Sequence, residues 1–211
     1  MPSRYLAAGL ALAALAAPAS ARPVSYAGGW TLMQENNGMF SSLHTHYSPT
    51  ATDSIGVYVE QNWDMDSTFT GLQYNRLVRR WNAPQSQGNL YLKLGAGLAD
   101  PFGGGAAEAA SFGGIAADWE TRRVFVSYDV RARDFGPDES VSHAARLGVA
   151  PYVAEFGDLH TWAMLQIENH PEADEPLTFT PLLRFFKGPF LLEAGYTIEE
   201  EEFLLNWVWR Y

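Results

Sequence analysis

Phe203-Leu204-Leu205-Asn206-Trp207-Val208-Trp209-Arg210-Tyr211 is the stretch on which the fold turns. Read with a period of two, Phe203, Leu205, Trp207, Trp209 and Tyr211 share one side, and Asn206 and Arg210 lie on the other. Successive side chains of an extended strand point to opposite faces, so the stretch predicts a strand with one wholly apolar, largely aromatic face.

The same period recurs upstream. In Leu90 to Leu98 the even positions are Leu90, Leu92, Leu94, Ala96 and Leu98, against Tyr91, Lys93, Gly95 and Gly97. Val124, Val126, Tyr128 and Val130 alternate with Phe125, Ser127, Asp129 and Arg131. Ala145, Leu147, Val149, Pro151 and Val153 alternate with Arg146, Gly148, Ala150 and Tyr152, and Leu177, Phe179, Pro181, Leu183 and Phe185 with Thr178, Thr180, Leu182 and Arg184. Turn chemistry separates such segments at short intervals: Asn36-Asn37-Gly38, Pro49 to Asp53, Asn82-Ala83-Pro84, Gly136-Pro137-Asp138, Phe156-Gly157-Asp158, Pro171 to Pro176 and Gly188-Pro189. Twelve strands are predicted, near 28–35, 39–48, 54–63, 69–80, 89–98, 111–119, 123–132, 143–153, 159–167, 177–186, 190–198 and 203–211. Several run to roughly 9–11 residues, the length of a tilted membrane-crossing strand. Short strands at regular spacing predict an all-β sandwich or barrel. Alternation does not tell a water-soluble barrel from a membrane one, because only the direction of the apolar face differs.

Other features separate the two. The aromatic-ended last strand, with Phe203, Leu205, Trp207, Trp209 and Tyr211 on one face, resembles the C-terminal assembly signal of bacterial outer-membrane β-barrel proteins. That resemblance implies a single closed antiparallel transmembrane barrel over 22–211, recognition by the barrel-assembly machinery, and contact with outer-membrane lipid and lipopolysaccharide. The first residues read as a cleaved secretory signal: Arg4, the apolar run Leu6 to Ala17, and Ala19-Ser20-Ala21 as the cleavage site, giving a leader over 1–21. The run is too short to span a bilayer as a helix. An even strand count puts both termini at the periplasmic side. The odd-numbered connections then hold 15 of the 24 acids and, of the Lys and Arg residues, Arg133 alone. The long connections 99–110 and 168–176 fall on that outer side. Arg79, Arg80, Arg122, Arg123 and Lys187 cluster at the other. One segment breaks phase: Arg76 shares a face with Leu72 and Tyr74, which a β-bulge would repair.

Composition narrows the function. A net charge of −10 makes nucleic acid a poor partner, since that interaction needs basic patches. With no cysteine, the chain has neither disulfides nor a lipoprotein anchor. Seven Trp, ten Tyr and twelve Phe suit strands and interfacial girdles.

The inward face is predicted to carry Glu60, Lys93, Asp118, Asp129, Arg131, Arg146, Arg184, Glu193 and Arg210. These charges either line a selective pore or pair with one another and fill the interior. His44 and His46 share one face of Leu43 to Ser48, about 7 Å apart along a strand. Two imidazoles so placed suit copper or zinc, with His160 as a cross-lumen third ligand. The alternative is an ordinary hydrogen-bonded pair. Ser48 on the same face opens a nucleophile-and-base reading, a lipid-acting phospholipase or deacylase, with no further residues legible as catalytic. The acidic loops suit Ca²⁺ or Mg²⁺ bridging to lipopolysaccharide phosphates.

Leu43-His44-Thr45-His46-Tyr47-Ser48-Pro49-Thr50, Arg80-Trp81-Asn82-Ala83-Pro84, Gly157-Asp158-Leu159-His160-Thr161-Trp162 and Phe186-Lys187-Gly188 resemble stretches of an uncharacterised family of exported proteobacterial proteins met near copper and heavy-metal efflux systems. That resemblance implies metal homeostasis and supplies no catalytic residue. The leading expectation is a barrel that passes or binds a small solute or metal ion. A lipid-acting enzyme, a closed structural barrel and a soluble periplasmic barrel stand as alternatives.

Overall fold

The computed structural model describes residues 22–136, 138–155, 157–173 and 176–211, so the expected leader lies outside the described residues. Twelve strands form: β1 (Trp30–Asn36), β2 (Phe40–Tyr47), β3 (Asp53–Asn62), β4 (Ser67–Ala83), β5 (Ser86–Pro101), β6 (Glu108–Thr121), β7 (Val124–Asp134), β8 (Glu139–Val149), β9 (His160–Asn169), β10 (Leu177–Lys187), β11 (Phe190–Thr197) and β12 (Glu202–Arg210). Each pairs antiparallel with its chain neighbours, and β1 pairs with β12, closing a barrel without edges. The seam is tied where the ends meet: the Trp30 amide donates to Tyr211 O at 2.8 Å and the Tyr211 amide to Trp30 O at 3.0 Å. Closure leaves no unpaired strand edge, which lipid could not hydrate. Because strands alternate in direction, the odd-numbered connections lie at one mouth and the even-numbered ones, with both described ends, at the other.

The apolar set faces outward. Leu43, Ile55, Val57, Leu72, Leu94, Leu98, Ile115, Val126, Leu147 and Leu183 are all exposed. The aromatic face of β12 points the same way, with Phe203, Leu205, Trp209 and Tyr211 exposed. Trp30, Trp81 and Trp119 are exposed toward the even mouth, and Trp63, Phe102 and Tyr196 toward the odd one. Buried inside are Ser42, His44, Glu60, Asn75, Asn89, Gln166, Thr180 and Glu193. Polar interior and apolar belt between aromatic girdles is the arrangement of a transmembrane barrel.

The interior is not uniform. Tyr58, Met65, Phe69, Phe112 and Phe135 pack together beside β3 to β7 toward the odd mouth, with Phe69 stacked on Phe135 at 5.0 Å. Gly95 is required there: a Cβ on it would stand 2.2 Å from the Phe112 ring. A second cluster of Phe125, Trp162, Met164 and Leu182 lies in the even half.

Three expectations need correction. The eighth strand is not 143–153 but Glu139–Val149. It starts earlier because Glu139 pairs with Asp134 across a tight connection, and it stops before Pro151, which has no N–H to continue the ladder. Arg123 Nη2 instead donates to Pro151 O at 3.0 Å, and Tyr152 is exposed in the connection. Secondly, the long connection is at the even mouth, 150–159; β5 and β6 pair on from Ala99 with Glu108 and leave only 102–107 between strands at the odd mouth. Thirdly, the bulge of β4 lies between Leu77 and Arg79, beyond Arg76. Arg76 stays outside, its guanidinium 2.9 Å from Asp53. Leu77 inward and Val78 outward still follow the alternation; the bulge shifts the phase after them and brings Arg79 over the Trp81 ring at 5.3 Å.

Candidate functional site

The charged residues of the inward face meet in two clusters of one glutamate and two arginines. Glu60 on β3 receives Arg133 Nε at 2.9 Å and lies 3.5 Å from Arg131 Nη1, both reaching from β7. Tyr58 Oη and Asn62 Nδ2 also donate to it, the latter at 3.0 Å. Arg131 lies over Phe112 at 5.0 Å, and Arg133 over Phe40 at 5.5 Å. Glu193 on β11 receives Arg184 Nε from β10 at 2.6 Å and Arg146 Nη1 from β8 at 3.2 Å. Asn206 Nδ2 donates to it at 3.0 Å, and Arg146 also donates to Gln166. Each carboxylate is about fully buried and each is shared by two guanidiniums, so each cluster carries an excess positive charge. Buried ions need such pairing.

Between and below them run further polar contacts. Lys93 pairs with Asp129, Asn89 Nδ2 donates to Asp118 at 2.6 Å, and Arg22 pairs with Glu120. Arg210, on β12, donates from Nη2 to Arg22 O at 3.1 Å.

These groups surround a cavity of about 160 Å³. A single water needs roughly 10–15 Å³, so the space has room for several. Arg131, Arg133, Arg146 and Arg184 line it, and Glu35, Asp118, Asp129 and Glu168 supply acids. Glu60 and Glu193 stand behind their arginines, outside the lining. Phe40, Arg133 and His170 line both this cavity and a recess at the odd mouth bounded by Asp64, Asp138 and Glu172. The cavity therefore adjoins the recess at the odd mouth, with these three side chains at their boundary. His170 follows β9; burial first, and then Arg133, lower its imidazole to about 4.

His44 and His46 also face inward, both buried, with their Nδ1 atoms 3.2 Å apart. Both Nε2 atoms are buried without a partner. His44 meets Tyr58 edge-on at 5.7 Å. His160 is elsewhere, stacked on Phe186 at 4.6 Å at the even end of β9. Among the described residues no group of three His, Asp or Glu comes together around a metal-sized space. Ser48 Oγ accepts the Ser25 amide at 3.0 Å and no histidine nitrogen bonds to it, so no nucleophile–base pair forms.

Residues outside the expected set complete the site. Arg133 and Glu120 sit one rung beyond the strand ends expected for β7 and β6; carrying the alternation past Arg131 and Asp118 finds both. Tyr58 and Asn62 share the parity of Glu60, and Asn206 that of Arg210, so alternation turns all three inward but does not say which charge each meets.

No protein-family model matches the chain, and no curated protein does. Among solved structures, the β domain of the Bordetella autotransporter BrkA aligns over 87% of this chain and 98% of its own, with a TM-score of 0.50 and 12% identity. A variant of OccD1 (OprD) aligns over 87% of this chain and 66% of its own, with a TM-score of 0.41 and 9% identity. At 12% identity the likeness to the autotransporter domain is one of fold: a closed membrane-type barrel.

Proposed function

We propose that this chain is a bacterial outer-membrane barrel that takes a small polar or charged solute into its lumen from the odd mouth, which faces outward. The observation that carries the reading is the charge-lined cavity that adjoins the odd-mouth recess, with Phe40, Arg133 and His170 at the boundary of the two. A closed structural barrel would have no need of arginines turned toward space, backed by buried glutamates. The apolar belt and the aromatic last strand support the membrane location and delivery by the assembly machinery. Acids at the odd mouth, Asp64, Asp138 and Glu172 among them, suit Ca²⁺ or Mg²⁺ bridges to lipopolysaccharide.

Ala144→Cys tests this, because Ala144 lines the cavity and the chain has no other thiol. On intact cells a small charged thiol reagent should modify it, and a bulky polymer-linked maleimide should not. A thiol that neither reagent reaches on folded protein, though both reach it on unfolded protein, overturns the reading.

A metal reading rests on a separate observation. Two nitrogens 3.2 Å apart are spaced as two ligands at about 2.0–2.1 Å from one ion with an angle near 100° between bonds. His44 and His46 would supply half of a copper or zinc site, in keeping with the resemblance to proteins near metal efflux systems.

A further inference from the structure

The floor of the cavity is not a strand. Residues 22–25 turn in from the even mouth before β1 begins, and Arg22 and Val24 are only 7% and 6% exposed. Three strands other than β1 hold this stretch through side chains. Glu120 on β6 pairs with Arg22. Ser54 Oγ on β3 donates to Pro23 O at 2.6 Å, and Arg210 on β12 to Arg22 O at 3.1 Å. Val24 packs against Leu77 and Tyr91. Pro23 itself lines the cavity.

No ladder bonds this stretch to a neighbour; regular pairing starts at Trp30. Gly28 precedes that point in the left-handed region, at φ +86°, where glycine alone pays little cost, and its amide donates to Ser48 O at 2.8 Å. With the expected leader removed after Ala21, the stretch is a short arm on a glycine pivot, held by side chains that can exchange it for water.

We propose that residues 22–25 are a stopper that closes the even mouth, and that its release makes the lumen a conduit for inorganic ions and small polar solutes. This rests on the solute reading above and adds its regulation. With the arm seated, solute entering from the odd mouth stops at Pro23. With the arm out, the cavity runs from the odd-mouth recess to the even mouth. Glu120 and Arg210 then become the charged rim that the leaving solute passes.

The test is conductance of refolded protein in planar bilayers in potassium chloride. Val24→Asp puts a charge against Leu77 and Tyr91 and should raise the mean conductance several-fold. A Val24→Cys, Leu77→Cys pair provides a reversible lock in a chain with no cysteine of its own. Oxidised, it should conduct less than wild type; reduced, it should return to wild-type behaviour, while reductant leaves wild type unchanged. Folding of each variant is checked by its shift in gel mobility on boiling, and if Val24→Asp does not fold the lock decides. Equal conductance of the locked and released forms overturns the stopper. Ala144→Cys separates the two failures: a thiol still labelled from outside keeps the solute reading and removes only the stopper, whereas an unlabelled one removes both.

Discussion

Glu60 and Glu193 solve one problem in two surroundings. Each is a buried carboxylate shared by two arginines and one asparagine. Around Glu60 the arginines are walled by aromatic rings, Tyr58, Phe112 and Phe40, and their side chains are 9% and 5% exposed. Around Glu193, Arg146 is 21% exposed toward the cavity and has Gln166 as a second acceptor. The difference is in what each arginine keeps if its carboxylate goes. Arg146 turns to water and an amide; Arg131 keeps the Tyr58 hydroxyl at 3.1 Å and ring faces. The Glu193 side is therefore the wetter half through Arg146, although Arg184 there is 5% exposed and lies over Phe125 at 4.8 Å.

Removing each glutamate breaks the comparison most sharply. Glu60→Ala leaves two guanidiniums in an aromatic pocket, and breaking a buried pair from one side costs about 3–5 kcal/mol. Glu193→Ala should cost about 1–2 kcal/mol less, because the cavity hydrates Arg146. Denaturant unfolding of the refolded barrel measures both; equal losses mean that the two halves do not differ as described.

A smaller effect concerns the histidine pair, which belongs to the Glu60 side through the contact of His44 with Tyr58. If His44 and His46 hold copper, Cu²⁺ at a hundred times its dissociation constant should stabilise the wild type by about 2.7 kcal/mol. The doubly substituted His44→Ala, His46→Ala protein should gain nothing. The same unfolding experiment checks it, and equal shifts in both proteins remove the metal reading.

The smallest effect is a titration at the odd mouth. His170 shares the recess with Arg133, and its imidazole is lowered to about 4 by burial and then by Arg133. The unfolded chain takes up this proton near 6.5, so it binds more protons than the folded one between the two values. Seating of the connection after β9 is therefore fully supported near pH 7 and weakens as the pH falls from about 6.5 toward 4. An NMR titration of the His170 ring with a midpoint near 6.5 contradicts this burial.

Much of this was legible in the sequence because the period of two survives in nearly every strand. Leu90 to Leu98 and Val124 to Arg131 assigned inside and outside residue by residue, and the outward face of β12 has the side expected from Phe203, Trp209 and Tyr211. The misplacement of β8 came from an alternation that continues through Pro151, whereas a ladder needs the missing N–H. The extra length of β4 to β6 was hidden because Asp100 and Glu108 read as loop acids, yet they end paired strands. Parity names which charges turn inward, but not which charges meet. Glu60 finds Arg131 and Arg133 across the lumen, from four strands away in the barrel order. The arm at 22–25 has no period at all, and its place depends on single contacts such as Arg22 with Glu120.

The central claim is that the apolar face looks into lipid and the charged face into the lumen. Two tryptophans test it directly, Trp162, buried inside at 6% exposure, and Trp119, 45% exposed on the outer surface. Versions of the refolded protein that keep one of these, with every other tryptophan replaced by phenylalanine, are placed in bilayers whose acyl chains carry bromine near the headgroups. Trp119 fluorescence should be strongly quenched and Trp162 fluorescence left nearly unchanged. Quenching of Trp162 with Trp119 spared, or of neither, would contradict the account.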